Sequence, residues 1–183
     1  SGPAGSGKSF LAVFFVFSFL VKDMVNKIII TRPMIQCGKG LGFLQGGLAE
    51  KFNPYASPII EAFTDLLGEQ VYNRLVKEGV IEILPLELCR GKNFHKCIVL
   101  ADEMQNATLQ QLTMILTRHG HNTKTIITGD PKQTDLYYND FSFVISKLQN
   151  LSGVGIVKLE HKDIQRSGII AKILERLEDD INI

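Results

Sequence analysis

Gly2-Pro3-Ala4-Gly5-Ser6-Gly7-Lys8-Ser9 is a full match to the pattern G-x-x-x-x-G-K-[ST]. Glycines at these spacings allow a backbone path that turns successive N–H groups inward, around phosphate oxygens. Lys8 supplies a point charge to the β- and γ-phosphates, and the Ser9 hydroxyl is a ligand type suited to Mg²⁺. The residues from Gly2 to Phe10 are therefore the expected contacts of a bound nucleotide, with ATP and Mg²⁺ the expected ligands. The helix that starts behind the loop adds its positive N-terminal end. A chance glycine-rich turn is the competing reading, and an apolar helix beginning immediately afterwards argues against it. Such a loop is expected to follow a buried strand. The numbered sequence starts at Ser1 without one, so that strand is expected to be absent from these residues.

Outward from the loop, Phe10 to Val21 reads FLAVFFVFSFLV, twelve nearly continuous apolar residues closely bounded by Lys8 and Lys22. A membrane span needs about 20 residues. A buried helix is expected instead, and no membrane partner.

Beyond it the elements alternate. Short β-branched runs occur at Lys27–Thr31, Val80–Leu84, Cys97–Ala101, Lys124–Thr128 and Gly155–Leu159, uninterrupted as in strands buried on both faces. Helical patterns lie between or after them. Pro54–Leu67 has Asn53 as its expected N-cap and Gly68 as its terminator; Thr108–Arg118 runs towards Gly120; Phe141–Leu151 and Ser167–Ile181 follow. This alternation predicts a three-layer α/β fold with a mostly parallel sheet, built as one domain over residues 1–183. Pro33 to Phe52 holds five glycines and no clear period. An irregular stretch of that length inside a compact domain is usually functional.

Two strand ends carry further chemistry. Cys97-Ile98-Val99-Leu100-Ala101-Asp102-Glu103 is a buried strand ending in two carboxylates, the Walker B pattern. Asp102 suits Mg²⁺, and Glu103 suits a group that polarises attacking water. The pair matters because phosphoryl transfer to water needs something to orient that water. Thr128-Gly129-Asp130-Pro131-Lys132-Gln133 again closes an apolar strand. Ligands of open α/β sheets bind at the carboxyl ends of strands, which makes Gln133 the natural γ-phosphate or water contact.

The totals set limits. A net charge of +1 gives no global field towards polyanions, so any nucleic-acid contact must come from a local basic cluster. Three cysteines, Cys37, Cys89 and Cys97, form no C-x-x-C pair and suggest no zinc framework; Cys97 reads as a small core residue, and a reducing, cytoplasmic setting is expected. His95, His119, His121 and His161 show no ligand spacing.

Taken in order, GPAGSGKS, TRP (Thr31–Pro33), LGFLQG (Leu41–Gly46), KFNPYASP (Lys51–Pro58), Arg90-Gly91, LADEMQN (Leu100–Asn106), LTRHG (Leu116–Gly120) and TGDPKQTDL (Thr128–Leu136) resemble the PhoH-like family of P-loop ATPases. That family is similar to the first motor domain of superfamily-one helicases, and the match covers nearly the whole chain. Gln45 stands where the family commonly has proline and Met104 where alanine is common; neither touches the phosphate site. The resemblance implies a RecA- or helicase-like P-loop fold and a cytoplasmic ATPase tied to phosphate starvation and RNA metabolism. It also implies homo-oligomers, suspected to be hexameric rings. It makes Arg166 a candidate γ-phosphate sensor in cis and Arg118 a candidate contact to a neighbouring subunit's nucleotide. For both, a surface or helix-end salt bridge is the alternative. It further marks Thr31, Arg32, Lys39, Lys51, Tyr55, Arg90 and Lys92 as candidate contacts to RNA or single-stranded DNA. Cations there would meet phosphates and Tyr55 would stack on a base, with a solvated face as the other reading for most of the lysines.

Two other functions compete with an ATP hydrolase acting on nucleic acid. One is a nucleotide-regulated assembly module without motor activity. The other is a small-molecule kinase, against which Glu103 and Gln133 argue.

Overall fold

The computed structural model describes residues 1–34 and 48–164, apart from the side chains of 48–51, 53 and 161. Four strands form one sheet: β1 (Lys27–Arg32), β2 (Ile81–Pro85), β3 (Cys97–Ala101) and β4 (Lys124–Ile127). Their spatial order is β2-β1-β3-β4, and every neighbouring pair is parallel. All four carboxyl ends therefore lie along one rim. β3 is buried at every position, as a central strand with helices on both faces must be.

One face is covered by α1 (Lys8–Val21), α2 (Leu48–Leu67) and α3 (Glu69–Lys77). Val13, Val16, Ile59 and Phe63 pack there against Ile28, Ile30, Ile98 and Leu100. The other face is covered by α4 (Leu109–Leu116) and α5 (Asp140–Leu148). Leu112, Ile115 and Phe141 pack there against Ile29, Val99 and Ala101. The three-layer parallel architecture expected from the sequence is present.

Several expectations need correction. The segment at Gly155–Leu159 is not a strand. It runs extended past the amino end, where the Leu159 amide donates to Ser1 O at 2.8 Å and the Ser1 ammonium donates to Val157 O at 2.7 Å. Among the described residues it has no longer ladder to join. α2 begins at Leu48 rather than Pro54, so Asn53 lies inside the helix and is not its cap. Gly68 does end it, and with φ 78° it then serves as N-cap of α3, an element the apolar spacing did not announce. α1 is not fully buried. Ala12, Val13 and Val16 face the sheet, while Phe10, Phe14 and Phe15 stay about half exposed. One stripe of the helix meets the sheet and α2, and the opposite face is left to solvent among the described residues. None of the described helices is long and apolar enough to cross a membrane. The helix expected at Ser167–Ile181 and most of the glycine-rich stretch lie outside the described residues.

Candidate nucleotide site at the sheet rim

The loop before α1 closes on a single carbonyl. Pro3 O accepts from the Ser6 amide at 3.3 Å, the Ser6 hydroxyl at 2.8 Å and the Lys8 ammonium at 2.7 Å. Gly5 and Gly7 sit at φ 78° and 77°, left-handed values that explain glycine at both positions. α1 starts with no side-chain cap and no acidic residue in its first turn. Its first N–H groups are thus left for an anion, and the helix dipole favours one there. The Gly2 amide donates to Gly129 O at 3.2 Å, which ties the loop to the end of β4.

The Walker B carboxylates stand directly behind this loop. Asp102 is buried, and its Oδ1 accepts from the Ser9 hydroxyl at 3.1 Å and from the Thr128 hydroxyl. A carboxylate and a hydroxyl side by side are hard oxygen donors, the set Mg²⁺ uses when phosphates and waters complete its shell. No group of three or more His, Cys, Asp or Glu side chains able to hold a metal occurs among the described residues. The donors therefore fit a phosphate-bridged cation better than an all-protein cage. Glu103 follows with φ 55°, a left-handed conformation uncommon for a residue with a side chain. That turn ends the strand abruptly and leaves its carboxylate about one-third exposed on the rim.

Arg32 comes from the end of β1. One of its guanidinium nitrogens lies 3.9 Å from Asp102 Oδ2 and donates to Tyr55 O at 2.7 Å, and another lies 3.7 Å from Glu103 Oε1. Arg32, a candidate nucleic-acid contact on sequence, faces the acidic pair. Thr31, offered to the same role, is fully buried and accepts from the Cys89 thiol at 3.5 Å. Its hydroxyl faces the interior because strand residues alternate sides. Tyr55 stacks on Phe52 at 6.4 Å, and Lys92 pairs with Glu82 at 2.8 Å on β2. Arg90 is exposed. Lys39, the Lys51 side chain and Arg166 lie outside the described residues. Among the described members of the proposed nucleic-acid set, Arg32 touches Tyr55 and Thr31 is buried.

Gln133 is exposed, with its amide donating to Asp130 O at 3.1 Å. Arg118 ends the turn after α4 and shares a groove with Arg90, Leu109, Gln110, Thr113 and Met114. Its Nε is buried without a hydrogen-bond partner among the described residues.

Sequence reading gave no role to Gln105, which links the two motifs. It is buried, its Nε2 donates to Glu103 Oε2, and its Oε1 accepts from the Asp130 amide at 3.1 Å. Thr134 Oγ1 donates to the Gln105 carbonyl at 2.9 Å. A glutamine four residues past the end of β3 looks like any turn residue, and its presence in LADEMQN gives no hint of these partners.

The chain matches the family described as PhoH-like protein over residues 1–178. A PhoH-like protein of Bacillus subtilis is 41% identical over 177 residues, covering 95% of this chain and 56% of the relative. A PhoH-like protein of Mycobacterium tuberculosis is 35% identical over 177 residues, 95% of this chain and 50% of the relative. Protein PhoH of Escherichia coli K12 is 35% identical over 179 residues, 95% and 51% respectively. The chain spans about half the length of the curated relatives it matches.

Proposed function

Since the chain belongs to the PhoH-like family, we propose that it binds ATP with Mg²⁺ at the sheet rim and hydrolyses it. The observation that carries this reading is the convergence of Ser9 and Asp102 at 3.1 Å beside a glycine loop and an uncapped helix start. Bound Mg²⁺ would neutralise charge on the β- and γ-phosphate oxygens. Lys8, leaving Pro3 O, is placed to follow the phosphates as charge shifts onto the leaving oxygen. Glu103 accepts a hydrogen bond from water and aligns it for attack, with Arg32 and Gln105 fixing the carboxylate's direction. Gln133, in the segment after β4, takes the γ-phosphate or water contact. Steady-state phosphate release with Mg²⁺ tests the reading. Glu103→Gln should bind ATP but lose turnover, and turnover unchanged by that substitution would sink the role given to Glu103.

Coupling to RNA or single-stranded DNA, a cytoplasmic site of action and Arg166 as γ-phosphate sensor rest on the family resemblance. Phosphate release measured with and without RNA tests the first.

A second reading, nucleotide-dependent assembly of copies of this chain, has one specific observation in its favour. The unpartnered Arg118 Nε, in a groove that Arg90 also lines, calls for an acceptor from outside these residues. Mass measurement with and without ATP tests it, and a monomer under both conditions would remove the trans role of Arg118.

A further inference from the structure

A groove of about 630 Å³ lies where the turn after β2 meets α4, lined by Arg90, Leu109, Gln110, Thr113, Met114 and Arg118. A second depression of about 390 Å³ shares Arg90, Gln110 and Met114 with it, so the two run together as one trough along the helix. Two arginines without acceptors mark this trough. The Arg118 Nε is buried with no hydrogen-bond partner, and the exposed Arg90 guanidinium has no acceptor either, in both cases among the described residues. The carboxylate that lines the trough, Glu87, is already taken: it accepts from the Gln111 side-chain amide at 3.1 Å. A buried N–H without an acceptor is costly, and a guanidinium fork is shaped for a carboxylate. Leu109, 40% exposed, and the half-buried Met114 add apolar surface beside the charges. The trough therefore suits a ligand that is anionic and partly apolar.

This chain carries such a segment. Leu177-Glu178-Asp179-Asp180-Ile181 holds the only run of three consecutive carboxylates in the sequence, with an apolar residue on each side. It lies outside the described residues. We propose that the Glu178–Asp180 run of one copy docks in the Arg90–Arg118 trough of another. This rests on the assembly reading above and names the acceptor that Arg118 calls for. The carboxylates meet the two guanidinium groups, Gln110 adds a neutral donor, and Leu177 and Ile181 cover Leu109 and Met114. The fold favours a second copy over the same one. β2 is one edge of the sheet and β4 the other. The trough adjoins the turn after β2, whereas beyond β4 the Gly2 amide donates to Gly129 O and the Leu159 amide to Ser1 O, so the described chain ends on that side. The contact is heterologous, because segment and trough are different surfaces of one chain. Repeated from copy to copy it closes a ring or extends a filament rather than stopping at two.

Sedimentation of the full chain over a range of concentrations, with ATP and Mg²⁺ present, tests this. The native chain should self-associate, and more weakly as salt rises, since the charges at the trough are partly exposed. Arg90→Glu, at an exposed position, and Arg118→Glu should each weaken association about tenfold or more, as like charges then face each other. Joint substitution Glu178→Lys, Asp179→Lys and Asp180→Lys should do the same. Mixing that chain with one carrying both Arg90→Glu and Arg118→Glu should restore association, because opposite charges meet again. Restoration separates lost docking from lost folding. Self-association that none of these substitutions weakens overturns the docking while leaving assembly standing. So does a loss that mixing fails to restore, or one in which Arg90→Glu removes only the binding of a single-stranded oligonucleotide, which gives the trough to nucleic acid. A native chain that stays monomeric at every concentration overturns the assembly reading, and this inference with it.

Discussion

The Ser9 hydroxyl donates to Asp102 Oδ1 at 3.1 Å across 93 positions of sequence, and the Thr128 hydroxyl reaches the same oxygen. Three elements thus meet at one carboxylate atom: the start of α1, the end of β3 and the end of β4. A cation placed there replaces two donated hydrogen bonds and takes both hydroxyl oxygens as neighbours. Asp102→Asn keeps the shape but removes the charge. It should lower hydrolysis about 10²- to 10³-fold, the range for loss of one preorganised electrostatic contact. It should also raise the Mg²⁺ concentration needed for half-maximal rate. A Mg²⁺ dependence identical to that of the native chain would count against Asp102 as a metal contact.

Glu103 differs from Asp102 in reach. It is partly exposed, held in a left-handed backbone, and oriented by Gln105 and Arg32. Glu103→Gln should therefore separate binding from chemistry. Turnover should fall about 10²- to 10⁴-fold, the usual contribution of a positioned general base. ATP affinity should stay within about threefold, since the side chain meets water rather than phosphate. Rapid-mixing measurement of phosphate release beside equilibrium binding checks both halves.

Arg32 tests two assignments at once. If it orients Glu103, Arg32→Gln should lower turnover about tenfold or more without nucleic acid present, a loss of about 1.4 kcal/mol. If it contacts nucleic acid instead, basal turnover should hold and only the stimulation by RNA should drop. Its 3.7 Å approach to Glu103 Oε1 favours the first outcome.

How far the sequence discloses such details depends on whether they are written locally. The phosphate loop, both carboxylates and all four strands are legible because each is a contiguous run with its own periodicity or glycine spacing. The capping box of α4, where Thr108 and Gln111 bond reciprocally, is legible for the same reason. Gln105 is not legible, because its partners are 2 and 25 positions away and only the fold brings them together. The approach of Arg32 to the acidic pair is hidden for a similar reason. Its position in a Thr-Arg-Pro segment says nothing of the carboxylates that β3 places beside it. α3 was missed because polar residues dominate it and only Tyr72 among its residues is buried.

Gly129 shows why the rim tolerates little change. A Cβ there would lie 2.8 Å from Phe141 Cε1 and 2.9 Å from both Gln105 Oε1 and Phe141 Cζ. The Phe141 ring is buried and cannot retreat without disturbing the α4–α5 face. Gly129→Ala should destabilise the fold by about 1–3 kcal/mol, as overpacking does. The displaced Gln105 should also release Glu103, so turnover should fall in the surviving folded protein. A midpoint of urea denaturation unchanged from the native chain would show that the rim gives way more easily than these distances allow.

Glu82, at the far edge of the sheet, gives a pH test that leaves the site alone. Its carboxylate accepts from Lys27 at 2.6 Å and from Lys92 at 2.8 Å. Burial works against the charged form, but the two lysine hydrogen bonds and their charges outweigh it and hold the carboxyl below its usual range. A carboxyl with a lowered folded-state pKa adds stability that is fully present above the unfolded value, about 4.3. That stability is lost as pH falls through the lower folded value, where both states carry the proton. Because the side chain is about one-third exposed, solvent screening limits the contribution to about 1 kcal/mol or less. Glu82→Gln should therefore be less stable than the native chain at pH 7 by up to that amount. The gap should close as both proteins are taken below about pH 4. Urea denaturation across that range measures it, and a gap that stayed constant or widened towards acid would show that Lys27 and Lys92 stabilise the edge by packing rather than by charge.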